Sequence, residues 1–344
     1  MPEFFNSLAS LFTGSSLQKG ALWALNTLPG FPPIIQTVHI LGIAVIMGTA
    51  VLLNLRILGL ALPSQSLSRM TDRVIPWFWI AFLSNIISGA FFVFARPIRY
   101  FNNPVFASKL VFLIAAVLLL VLFFVLHKQQ PGYWEQEQRK WLARIMAIIS
   151  ILLWLGVCTG GRWIAYLEYL QYPLWTIEPY YDDNLVSFWV GVENWGLSQI
   201  IAATNWFPTL ETIHVIAAAM VVGSVAWMDL RLLGLTVTDT PFPVLYRELI
   251  RWTWGAFAVA ATTGLGMFIT RAAGHLENPA FIAKGMLLAL AGGNMAWFHF
   301  KLSHRIDLED EDSVSRYGVS ISGFFSLILW CGVMLAGRWI GHIV

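Results

Sequence analysis

Charge is what this sequence has least of. Only 12% of its 344 residues are charged, about half the share of a soluble domain, too little polar surface for a water-soluble chain of this length. The formal net charge is +2 and no basic run is present, which excludes nucleic acid as a partner. There are two cysteines, Cys158 and Cys331. Both fall inside apolar stretches, which excludes a disulfide framework. The chain also lacks GxSxG, Walker, HExxH, CxxC and glycine-rich dinucleotide motifs. Hydrolytic and nucleotide chemistry are thereby set aside, and whether the protein is an enzyme stays open. The opening MPEFFNSLASLF has no basic n-region and no small-residue cleavage site, so it is not expected to be a removed signal peptide.

Apolar length takes the place of charge. Hydrophobic residues make up 58%, with 17 Trp and 24 Phe. A hydrocarbon core needs about 20 apolar residues per helix. Eight segments qualify, at 33–61, 74–98, 104–128, 142–166, 208–236, 247–272, 279–303 and 318–342. The expected class is all-α, a polytopic protein of the lipid bilayer. Its divisions are an interfacial N-terminal segment (1–32), a four-helix repeat (33–166), an aromatic interfacial linker with an amphipathic helix (167–207) and a second repeat (208–344).

The repeat is legible residue by residue. IQTVHILGIAVIMGTAVLLNLRILG (35–59) returns 175 positions later as LETIHVIAAAMVVGSVAWMDLRLLG (210–234). Trp77, Trp79 and Gly89 meet Trp252, Trp254 and Gly264, and NPVFASK meets NPAFIAK. After one added residue, GRWI at 161–164 meets GRWI at 337–340. Four helices per copy keep both copies in one orientation, so a pseudo-two-fold along the membrane normal is expected. Thirteen of the 21 basic residues fall at the ends opposite the starts of the first and fifth helices. The positive-inside bias makes that side cytoplasmic. Both termini and residues 167–207 are then expected on the periplasmic side of a bacterial inner membrane.

His39 and His214 are the histidines that coincide between copies, each near the start of its helix. Gln36 and Glu211 lie three residues earlier on the same face, where they would fix the imidazole tautomer of a metal ligand. The bland alternative is an interfacial histidine bonded to backbone or water. Arg96, Arg162, Arg271 and Arg338 gather at the same side, with Arg99, Lys109 and Lys284. Such cations suit haem propionates, quinone oxygens or lipid phosphates, or else snorkel to headgroups. Cys158 aligns with Met334; with the two histidines these soft ligands would suit copper, and without them both are core residues. Arg56 and Arg231 read as helix-end locks, paired with Asp72 and Asp229 or with end carbonyls.

ETIHVIAAAMVVG…DLRLLG, RWTWGAF, NPAFIAK and LWCGVMLAGRW together resemble an uncharacterised family of bacterial integral-membrane four-helix domains, present here as a tandem duplication. More loosely, a four-helix unit with a histidine near a helix start is similar to the cytochrome b561-like and copper-resistance permease families. That likeness implies electron transfer or metal handling, although the several facing histidines of the b561 pattern are not repeated here. Three expectations follow. The first is an electron-transfer protein with b-type haem on His39 and His214, one each or one shared, and with Arg96, Arg162, Arg271 and Arg338 on its propionates. Its partner would be a quinone or a periplasmic redox protein. The second is a copper handler using His39, His214, Cys158 and Met334. The third is a cofactor-free anchor that docks a periplasmic partner within a larger membrane complex.

Overall fold

A computed structural model describes residues 2–130, 132–167, 187–236, 241–303 and 316–342. Its helices are α1 Pro2–Phe12, α2 Ser16–Thr27, α3 Phe31–Ile57, α4 Leu67–Ala95, α5 Pro97–Phe101, α6 Pro104–Gln129 and α7 Lys140–Leu167. The second half holds α8 Ser187–Glu193, α9 Gly196–Ala203, α10 Trp206–Leu232, α11 Phe242–Phe268, α12 Ala272–Glu277, α13 Pro279–Trp297 and α14 Arg316–Trp339. Eight of these stretches are long and apolar enough to cross a bilayer, namely those built on α3, α4, α6, α7, α10, α11, α13 and α14. The protein is an all-α polytopic membrane protein. Most of the charged loop at 304–316 and the first part of the linker, 168–186, lie outside the described residues.

Matched signals set the helix ends in both copies. Asn103 and Asn278 accept from the backbone amides of Val105 and Ala280, each with a proline at the first helical position. At the other end, LRILG and LRLLG close α3 and α10 in the same way. Gly59 and Gly234 turn left-handed at φ 76° and 71°. Leu60 and Leu235 then donate back to Leu55 and Leu230 at 2.9 Å, which satisfies carbonyls the helix leaves open.

The two first helices, α3 and α10, form the centre of the molecule and are the most buried spans. They cross at Gly48 and Gly223. A Cβ on Gly48 would lie 2.9 Å from the Gly223 Cα, and one on Gly223 would lie 2.8 Å from the Gly48 Cα. Backbone meets backbone on the pseudo-two-fold, the close approach that small residues permit in membranes. Both α7 and α14 pack against this central pair, whereas α4 packs on α3, α11 on α10, α6 on α7 and α13 on α14. The pairs α4–α6 and α11–α13 scarcely touch. Each repeat is therefore an open arrangement with a cleft between its second and third helices.

Three boundaries differ from expectation. The helix α4 starts at Leu67 rather than 74, because Ser66 caps it and Met70, Thr71 and Val74 are buried. The interleaved Arg69, Asp72 and Arg73 lower the hydropathy that marks a span. At the end of α13 the chain widens into a π-helix over Phe298–Ser303. The single amphipathic helix expected in the linker is two helices, α8 and α9. Ser198 and Gln199 donate to the Val192 and Glu193 carbonyls at the break, and the Glu193 carboxylate turns away to accept from Ala273 N at 2.8 Å. In the first repeat, α1 and α2 pack on α5 and α4; in the second, α8 packs on α12.

Candidate functional site

Each matched histidine faces the second helix of its own repeat. His39 Nδ1 lies 2.8 Å from Ser88 Oγ, and His214 Nδ1 lies 2.8 Å from the Ala260 carbonyl and 3.3 Å from Thr263 Oγ1. Glycine makes the notch. A Cβ on Gly89 would press on His39 Cε1 at 3.3 Å, and one on Gly264 on His214 Cε1 at 3.1 Å. Lys109 and Lys284, on the third helices, lie along the fourth, their Nζ atoms 3.4 and 3.7 Å from where a Cβ on Gly161 and on Gly337 would stand.

The hydrogen bonds bear on the proton. A carbonyl only accepts, so His214 Nδ1 carries the hydrogen when the ring is neutral and Nε2 keeps a lone pair. No described residue bonds that Nε2, which is the state a metal or a donor ligand requires. His39 is set differently. Ser88 Oγ donates to Ser84 O at 2.7 Å and is left to accept from Nδ1. Yet the Asn85 amide nitrogen, in the orientation that bonds His39 O, sits 3.0 Å from the same Nδ1. The repeat counterpart of Asn85 is Ala260, which has no side-chain amide.

Gln36 and Glu211 do not orient the histidines. They clamp the repeats together. Arg162 of the first copy and Tyr166 both donate to Glu211 of the second. In mirror fashion Arg338 of the second copy donates to Gln36 of the first, and His342 Nε2 lies 3.0 Å from the same oxygen. Tyr166 and His342 occupy matching positions. The arrangement is one motif used twice, with an ion pair in one version and an amide in the other. Arg162 is left with a buried Nε that has no partner.

The remaining expected site residues separate. Arg96 and Arg271 are exposed where α4 and α11 give way to the short helices α5 and α12. Arg162 and Arg338 are committed to the clamp, so the four arginines do not ring one group. His39 and Gly48 are nine residues apart, which is two and a half helical turns. His39 and His214 therefore point away from the crossing of α3 and α10, and geometry favours one site per repeat over a shared one. Cys158 Sγ bonds Met47 Sδ at 3.6 Å, and Met334 packs into the same core. Among the described residues no three His, Cys, Asp or Glu side chains gather as a metal would require. On the opposite side, Arg56 donates to the carbonyl of Gln65, in the loop ahead of α4 and not at a helix C-terminus, and Asp72 pairs with Lys128 and His127. Asp229 is buried, and its Oδ2 has no partner.

Sequence reasoning missed Ser88, Thr263 and the two glycine notches as one unit. The signal was present, since Ser88 meets Thr263 and Gly89 meets Gly264 at the same offset of 175. Nothing in a linear pattern says that these residues touch a histidine some 49 positions away.

Neither a curated protein nor a solved structure matches the chain. The looser likeness to cytochrome b561-like and copper-resistance proteins thus gains no support. A family model matches twice, over residues 29–167 and 202–343, its two stretches coinciding with the two four-helix repeats and taking in both histidine notches and both halves of the clamp. The chain belongs to the Family of unknown function (DUF6644), as a tandem pair of its domain.

Proposed function

We propose that the protein is an electron-transfer protein of a bacterial inner membrane, with one b-type haem per repeat held by His39 and His214 near the periplasmic side. The observation that carries this reading is the His214 ring, whose Nδ1 is bonded to the Ala260 carbonyl and whose Nε2 lone pair is unused. His39 has the same notch. Lys109 and Lys284, on the third helix of each repeat, with exposed Arg96 and Arg271, would meet propionates. Arg162 and Arg338 leave that role, because Glu211 and Gln36 occupy them. Haem would supply a one-electron couple. The protein's part is to present a neutral imidazole, to orient it by its second nitrogen and to offer cations on one side.

The test is a reduced-minus-oxidised spectrum with a pyridine haemochrome assay on protein expressed with ample haem. Two separate sites predict that His39→Ala and His214→Ala each remove about half the haem. A colourless wild type, or full haem in both variants, would sink the reading.

A second reading has its own support. Phe188, Trp195, Leu197, Ile200 and Trp206 are all more than half exposed on and beside α8 and α9. This apolar surface suits a cofactor-free subunit that docks a periplasmic partner, with the clamp serving assembly alone. Colourless protein that co-purifies with a partner, and loses it on Trp195→Ala and Leu197→Ala substitution, would favour this reading.

A further inference from the structure

The two clefts are filled differently at one level of the membrane. In the first repeat Phe78 is 1% exposed and Trp154 is 2% exposed. Phe78 packs on Phe82 at 5.8 Å and edge-on to Trp154 at 5.6 Å. In the second repeat the residue matching Phe78 is Thr253, whose hydroxyl turns to Ser224 at 2.8 Å. Gly292 matches Val117 and Asn294 matches Leu119. Each change removes volume or adds a polar group. The result is a cavity of about 190 Å3 among α10, α11, α13 and α14, with Trp254, Phe257 and Trp330 among its walls. An apolar void of about 150 Å3 suffices to hold benzene, so this one takes a single substituted ring.

A carboxylate stands in that cavity. Asp229 is 5% exposed and replaces Asn54 of the first repeat. Asn54 bonds Ser150 at 2.9 Å, and Ser326, the matching serine, lines the cavity with Asp229. Asn54 uses its amide nitrogen there. In Asp229 the second oxygen, Oδ2, is buried without a partner. A buried acceptor left open is costly, and a donor brought by a ligand would satisfy it.

The route in limits the ligand. Trp254 is 50% exposed, and Phe257 and Met295 are each 37% exposed on the outer face. They flank the gap where α11 and α13 scarcely meet, and that gap opens towards hydrocarbon. At the cytoplasmic end, as the charge bias assigns it, Phe242 and Tyr246 pack on Phe298 at 5.4 and 6.2 Å and close the cleft. A ligand arriving through lipid leaves water behind, which burdens an ammonium ion far more than a neutral hydroxyl.

We infer that this cavity of the second repeat binds a membrane-soluble hydroquinone, its ring between Trp254, Phe257 and Trp330 and one hydroxyl donating to Asp229 Oδ2. The inference goes beyond the haem reading and does not rest on it. The test is calorimetric titration of the full chain in nanodiscs with a short-chain alkyl hydroquinone under reducing conditions, and with its dimethyl ether. The expected result is saturable binding of the hydroquinone and at least tenfold weaker binding of the ether, which lacks the donor. Thr253→Phe and, separately, Gly292→Val install the first repeat's filling and should abolish saturation. Asp229→Asn should weaken binding at least tenfold. Elution volume and melting temperature report folding, and the two filling variants stand in for one another if either misfolds. Absence of saturable binding to wild type, equal affinity for the ether, or binding retained in a folded filling variant would overturn the inference. So would preference for an alkylammonium ion of the same size.

Discussion

The two repeats of this chain are alike where they meet and unlike where they face away from each other. At the crossing, Gly48 and Gly223 each occupy the space a side chain on the other would need. At the clamp, each copy lends an arginine to the other's first helix. A change at either place is felt by both copies. The clefts have no such partner, and there the copies diverge: Phe78 against Thr253, Asn54 against Asp229, a filled space against a cavity. The histidines stand out on this comparison. They lie in the clefts, where nothing in the other copy constrains them, and yet both copies keep histidine, hydroxyl and glycine together. Each histidine is held by the second helix of its own copy, and its retention in both copies is what the haem proposal would account for.

The largest effect should come from making the clamp unlike itself. Glu211→Ala leaves the Arg162 guanidinium largely buried with its ion-pair partner gone; the side chains of this pair are 27% and 19% exposed. Removing one member of such a pair costs about 3–5 kcal/mol. Gln36→Ala removes a hydrogen-bonded amide from Arg338, at about 1–2 kcal/mol. Unfolding in mixed micelles measures both. Equal losses would show that the ion pair and the amide version are energetically the same device.

Next in size is the crossing. Gly48→Val and Gly223→Val each drive a side chain into backbone, and overpacking costs about 1–3 kcal/mol. The two variants should lose similar stability, and the double variant should fall short of their sum because both disturb one contact. Gly255, on α11, serves as the control. A Cβ there meets nothing within 4 Å, so Gly255→Ala should be neutral or slightly stabilising. If Gly48→Val is as harmless as the control, α3 and α10 do not meet as described.

Architecture was legible in the sequence because hydropathy and the offset of 175 are local, additive signals. The Asn-Pro starts and the LRILG and LRLLG ends of helices also come from short-range rules, and they appear where the pattern puts them. Partner choice was not legible. Gln36 and His39 are three residues apart and share a face, so their pairing was the natural expectation. The actual partner of Gln36 is 302 positions away. Ser88 escaped for the same reason, since its contact with His39 exists only once α4 is laid on α3.

The smallest effect sharpens the comparison most finely, because it concerns a clamp position where one copy uses a phenol and the other a titrating imidazole. Tyr166 serves Glu211, while its counterpart His342 serves Gln36. His342 lies just beyond the last span, and its partial burial and then the neighbouring Arg338 hold its pKa below the usual imidazole value. A lowered value means that the unfolded chain takes up the proton first. The contribution is therefore present above about pH 6.5 and is lost as pH falls below it. Partial exposure limits it to about 0.5 kcal/mol. His342→Tyr copies the first repeat's solution and removes the titrating group. Wild type should lose slightly more melting temperature than this variant between pH 7.5 and 5. Identical slopes would mean that the imidazole at position 342 titrates as freely in the folded protein as in the unfolded chain, and that the two halves of the clamp differ only in the carboxylate of Glu211.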